Sequence, residues 1–188
     1  MPYYNKSSNW DSNLTGYKKI VELRNITLTT DPKKGSSVFV DFEFCSKFKY
    51  HFTLVRGEIL EQSMAIYNEI KKCLELLGII PSVDNNGEEF MNLRDKLSSA
   101  LKMNSQFKLS TKILRSNLYT VIIKRNIYAH ADLGFHNNVP EIKYEDHQCG
   151  QTTEVIKPIS EKDLKNDLEF FEKVKNDIRL LHDKIKNI

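Results

Sequence analysis

The sequence predicts a mainly α protein: an antiparallel helical bundle preceded by a small N-terminal antiparallel β-hairpin or three-stranded element. Three observations carry this reading. Apolar residues recur at three- and four-residue spacing in several long segments after Gly57, the mark of amphipathic helices. Residues 38 to 54 instead alternate apolar with polar, the period of a half-buried strand. The 188-residue chain has 40% hydrophobic residues and only 7 Gly and 5 Pro, an ordinary balance for one folded core.

The elements follow in order. The first dozen residues are polar and aromatic without a period and read as a loose arm. Tyr17 to about Leu28 is mixed and compatible with a strand, and Asp31-Pro-Lys-Lys-Gly35 is a turn signal. Val38, Val40, Phe42 and Phe44 alternate with Asp41, Glu43 and Cys45. Phe48, Tyr50, Phe52 and Leu54 then alternate with Lys49, His51 and Thr53, so the two runs read as a hairpin around Ser46-Lys47. After Arg56-Gly57 a helical stripe runs from Ile59 through Leu60, Met64, Tyr67, Ile70 and Leu74 to Leu77, closed by Gly78 and Pro81. Ser82 to Gly87 is a polar loop, and Glu88 to about Met103 is a second helix. A third begins near Ser110 and runs into Arg125. Residues 132 to 158 read as an irregular loop, long enough to be a lid or a recognition element. The last helix opens on Ser160-Glu-Lys-Asp163, a capping-box variant, and its stripe from Leu164 to Ile188 is about 40 Å long. The chain thus divides into an arm and β-element over 1–56 and a helical domain over 57–188.

Charge and cysteine content narrow the function classes. The chain has 28 basic and 25 acidic residues, net +3. Seven of the bases (Lys96, Lys102, Lys108, Lys112, Arg115, Lys124, Arg125) fall between Lys96 and Ala131, where no Asp or Glu occurs. The remaining 21 bases against 25 acids leave −4 elsewhere. One basic block in an otherwise acidic chain favours a phosphate-bearing partner; the plainer alternative is a solvated helix face. The three cysteines (Cys45, Cys73, Cys149) are widely spaced and form no CxxC pair, which points to a reducing, cytoplasmic compartment. No apolar run approaches a membrane span, and the first residues lack a signal-peptide core.

The third helix closes on Arg125-Asn126-Ile127-Tyr128-Ala129-His130, an Arg-Asn-x-x-x-His pattern. It resembles the signature of the HEPN superfamily, helical domains whose Arg-x(4–6)-His motif forms a metal-independent ribonuclease site. The resemblance covers 125–130 as a motif and about 57–188 as architecture. It implies a cytoplasmic endoribonuclease of abortive-infection or toxin type, acting as a homodimer whose motifs face one cleft, with an antitoxin protein as a further possible partner. By resemblance Arg125, Asn126 and His130 are catalytic. Arg115, Lys124 and Tyr128 are candidates for holding RNA. Asp132 stands where many toxins of this family carry a tyrosine, so silencing by modification there is doubtful.

The chemistry suits these residue types. RNA supplies its own nucleophile, the 2′-hydroxyl beside the scissile phosphate. Histidine's ordinary pKa near 6.5 lets it serve as base or acid close to neutrality. Arginine stays charged and matches phosphate oxygens bidentately. No cofactor or metal is needed: His136, His147, Cys149 and Asp146 lack a four-ligand zinc spacing. On a helix Asn126 and His130 share a face, extended backwards by Ile122, Tyr119 and Arg115. The alternatives are a non-catalytic helical module for dimerisation or for binding a nucleotide or nucleic acid, and a pair of ordinary helix-end residues suited to the negative end of the dipole.

Overall fold

The computed structural model describes residues 41–79, 90–103, 107–148 and 151–187, with the backbone of a short strand pair at 28–29 and 37–38. Helices hold about three quarters of the described residues. In chain order the elements are β1 (Leu28–Thr29), β2 (Ser37–Val38), α1 (Phe42–Leu76), α2 (Phe90–Met103), α3 (Lys108–His130), β3 (Asp132–His136), β4 (Val139–Gln148), β5 (Gln151–Pro158) and α4 (Glu161–Lys186). The N-terminal arm, the Ser82–Gly87 loop and Cys149 lie outside the described residues.

The largest correction concerns residues 38–54. They form no hairpin; all but the first few belong to α1, a single 35-residue helix that runs through Arg56-Gly57. Helix begins at Phe42, not after Gly57. Two patterns were superimposed in this stretch. Phe48, Phe52, Val55 and Ile59 are spaced four, three and four apart, and all four are buried. Tyr50 and Leu54 complete the apparent alternation but are 40% and 51% exposed, on the opposite side of the helix. Asp41 caps the start, its Oδ1 accepting from the Phe44 amide at 2.9 Å. At the far end Gly78 takes φ 74°, a left-handed conformation that glycine adopts without a Cβ penalty. There the Ile79 amide returns to the Leu74 carbonyl and the Gly78 amide to Glu75, so the last carbonyls are satisfied as the Gly78 signal predicts. The strand pair that does precede α1 is β1 with β2, antiparallel, on either side of the Asp31–Gly35 turn signal.

The second correction concerns residues 132–158, which are a three-stranded antiparallel meander in the order β3-β4-β5 rather than an irregular loop. The β3–β4 turn is Asn137-Asn138, with φ 49° and 64°. Two consecutive positive-φ residues make the turn whose twist fits a two-residue hairpin, and asparagine tolerates that region better than most residues. The register places Leu133 opposite Ile142, Phe135 opposite Pro140 and Tyr144 opposite Val155. These six line the inner face, and Ile142 joins the core. Phe135 meets Phe48 edge-on at 6.2 Å, and the Asp41 amide donates to Asn138 Oδ1 at 2.8 Å. The meander therefore covers the N-terminal end of α1.

Helix α4 matches its prediction. Ser160 accepts from the Asp163 amide, and the Asp163 carboxylate accepts from the Ser160 amide, a reciprocal capping box. The Ser160 hydroxyl and then the Ser160 amide, both donating to Asp163 Oδ2, hold the Asp163 carboxyl below the usual carboxylate range. Its stripe of Leu164, Phe171, Val174, Ile178, Leu181 and Ile185 is buried within this chain, chiefly against α1. The two long helices run in the same direction: His51 meets Glu161 at one end, and Asp183 acts on Cys73 at the other. Helix α3 opposes both, because the meander returns the chain to the end at which α3 stops. The expected antiparallel bundle thus holds for α3 and fails for the α1–α4 pair. No described helix is long and apolar enough to cross a membrane.

Candidate functional site

The motif occupies the last turn and a half of α3. Asn126 and His130 are both exposed and lie one helical turn apart on one face. Arg125 is half-buried, and its Nη1 donates to Asn126 Oδ1 at 3.0 Å. At 100° per residue Arg125 stands about 140° from His130, and its guanidinium turns to Asn126, the motif residue on the His130 face.

Two clamps hold this helix end from behind. Lys124 and Tyr128 lie on the side of α3 turned away from Asn126 and His130, and both reach Asp167 of α4. Lys124 Nζ sits 2.5 Å from Asp167 Oδ1, and the Tyr128 hydroxyl donates to Oδ2 at 2.9 Å. The Tyr128 ring stacks on Phe52 of α1 at 5.8 Å. Burial, then the neighbouring Asp167 charge, raises the phenol pKa well above its ordinary value. The second clamp is Arg56 of α1. Its Nη1 donates to the Ala131 carbonyl at 3.3 Å, and its Nη2 donates to the Ala129 carbonyl. These are terminal carbonyls that the helix cannot satisfy itself, and a cation there also complements the dipole. Arg56 is half-buried, and Ala131 is fully enclosed.

The expected site residues therefore separate. Arg125, Asn126 and His130 come together at an accessible helix end. Tyr128, expected to touch RNA, is 2% exposed and does not reach the surface. Lys124 is engaged with Asp167. Arg115 stands four turns before His130 and binds Asp95 of α2, its Nη2 3.2 Å from Oδ1. The semi-polar line read backwards from His130 is broken at Ile122, which is buried; Ile123, 40% exposed, takes the outward place. Sequence reasoning did not single out Arg56 or Asp167. Arg56 stood beside the supposed helix start, and nothing in the sequence joins it to a helix end 73 residues away.

Two recesses open on the surface, the first on α2 beside the residues that follow α1, the second between α2 and α3. One is lined by Ile79, Asn92, Asp95, Lys96, Ser99, Ala100 and Met103, the other by Arg94, Lys112, Arg115, Ser116 and Tyr119. Neither includes Arg125, Asn126 or His130. Among the described residues no group of three or more His, Cys, Asp or Glu side chains converges as a metal site would. Asp132, two residues past His130, pairs in register with Lys143 as part of β3.

No protein-family model matches this chain, and no curated protein or solved structure matches it either.

Proposed function

We propose that this protein is a metal-independent endoribonuclease of HEPN type, acting in phage defence or as the toxin of a toxin–antitoxin pair. The observation that carries the reading is that one helix end presents Asn126 and His130 on a single exposed face, with Arg125 hydrogen-bonded to Asn126 beside them. In the reaction, His130 takes the proton from the 2′-hydroxyl. The 2′-oxygen then attacks the adjacent phosphorus, a 2′,3′-cyclic phosphate forms, and the 5′-oxygen leaves with a proton. Arg125 balances the charge of the crowded phosphorane, and Asn126 orients Arg125 or a phosphate oxygen. One histidine does not serve both proton transfers at once, so the working unit is a homodimer. The His130 of a second chain supplies the leaving-group proton.

The test is incubation of the purified chain with total RNA in EDTA. Cleavage is expected, with His130→Ala and Arg125→Ala each lowering the rate by about 10²-fold or more while the circular dichroism stays unchanged. Undiminished cleavage in both variants rejects the site.

One observation favours a second reading, a non-catalytic helical module that dimerises or binds nucleic acid. The motif face of the single chain is open, and neither recess includes it. RNA binding without any cleavage in the same assay selects that reading.

A further inference from the structure

The recess between α2 and α3 is built from three cations and a half-exposed aromatic ring. Arg94 comes from α2; Lys112, Arg115, Ser116 and Tyr119 come from α3, and the space between them is roughly 300 Å³. Arg94 is 7% exposed, unusually buried for an arginine. Its guanidinium sits 5.4 Å from the centre of the Tyr119 ring. Its Nε and Nη2 donate to Asp95 Oδ1 at 3.0 and 2.7 Å, and Arg115 Nη2 donates to the same oxygen at 3.2 Å.

One carboxylate thus serves two guanidiniums, and those hydrogen bonds hold Asp95 below the usual carboxylate range. Each guanidinium has five N–H donors. Asp95 takes two from Arg94 and one from Arg115. With Lys112 on the same wall, the recess keeps a surplus of two positive charges. An anion is the group that balances it. Tyr119 narrows the class of anion. Its ring is 48% exposed, so it offers a flat aromatic surface one helical turn from Arg115. A phosphate joined to a planar base satisfies both features; an inorganic anion satisfies only the first.

We propose that this recess is a nucleotide subsite for single-stranded RNA, with one unstacked base on Tyr119 and a neighbouring phosphate on Arg115 and Lys112. A duplex keeps its bases stacked and does not offer one to the ring. The subsite rests on the RNA reading of the motif for its substrate class, and it adds a spacing. Tyr119 and His130 lie on the same side of α3, eleven residues or about 17 Å apart. A fully stacked strand advances only about 3.4 Å per nucleotide and an unstacked one further, so a base held at Tyr119 lies at most about five nucleotides from the phosphate at His130.

The probe is a fluorescein-labelled, 2′-O-methylated oligouridylate of roughly eight nucleotides, long enough to span that distance. Methylation removes the nucleophile, so anisotropy reads binding free of chemistry. Tyr119→Ala is expected to weaken binding at least about fivefold, and Tyr119→Phe to restore it. Lys112→Gln is expected to flatten the dependence of log affinity on log salt by about 0.7. Lys173→Gln, on exposed α4 surface, is expected to leave both readings as they are.

Wild-type affinity and salt slope in both Tyr119→Ala and Lys112→Gln overturn the subsite. So does displacement of the probe by tripolyphosphate or by an acidic peptide as readily as by unlabelled oligonucleotide, which would mark a site for bare charge or for a protein. The two proposals fail separately. A chain that cuts unmodified RNA but ignores both substitutions loses the subsite and keeps the nuclease. A chain that binds the probe through Tyr119 yet cuts nothing keeps the subsite and loses the nuclease.

Discussion

Tyr128 is the residue on which sequence and structure part most clearly. Its place inside the Arg–His pattern made it a candidate for holding RNA, yet its hydroxyl ties α3 to α4 through Asp167. Burial of a helix residue is decided by what lies opposite, here Phe52, and nothing in residues 125–130 encodes that partner. Tyr128→Phe keeps the ring and deletes one hydrogen bond to a charged group, so a loss of about 1.5–3 kcal/mol is expected in urea unfolding. The placement of Arg125, Asn126 and His130 at one helix end was legible because a short linear motif on a helix carries its own geometry. Cys73 gives a prediction with a definite sign. Burial pushes its thiol up from 9.0 to about 12. Between those values the unfolded chain releases the proton and the folded chain keeps it, so stability falls as pH rises, by roughly 1.4 kcal/mol per pH unit. Cys73→Ala should flatten the alkaline limb of a stability–pH curve above pH 9.

At the scale of elements, α4 and the end of α1 were legible because their signals are local: a capping box in one, a positive-φ glycine in the other. The start of α1 was not. Phenylalanines at 44, 48 and 52 satisfy a period of two and a spacing of four together, and only the exposure of Tyr50 and Leu54 separates the readings. The meander was missed for a different reason. Its signals, Leu133-x-Phe135 and Ile142-x-Tyr144 around Asn137-Asn138, are short and surrounded by loop-forming residues. The corrected helix makes Gly57 an interior helical glycine, and a Cβ added there meets no atom within 4 Å. Gly57→Ala should therefore raise stability by about 0.5–1 kcal/mol, read as a higher denaturation midpoint at unchanged slope.

For the whole molecule, the near-neutral charge conceals a distribution that the fold makes spatial. Arg115 and Lys112 at one end of the outward side of α3 and His130 at the other belong to one surface. Pairing of two chains across that helix predicts a second-order dependence: at low concentration, cleavage rate should rise with the square of protein concentration and then become linear, with light scattering reporting the dimer over the same range. A rate linear throughout, from a monomer, rejects the paired-histidine mechanism.

The clamps behind the motif have a consequence for motion. Both oxygens of Asp167 are committed to α3, and Arg56 grips the carbonyls at its tip. Tethers from two helices fix the azimuth of α3 as well as its position along its axis. Such tethers oppose swivelling, so the direction in which His130 faces is set by the fold. For the nuclease proposed above, alignment would then belong to rigid-body docking, and an inhibitor would need only to shield one stripe of one helix, without touching the imidazole.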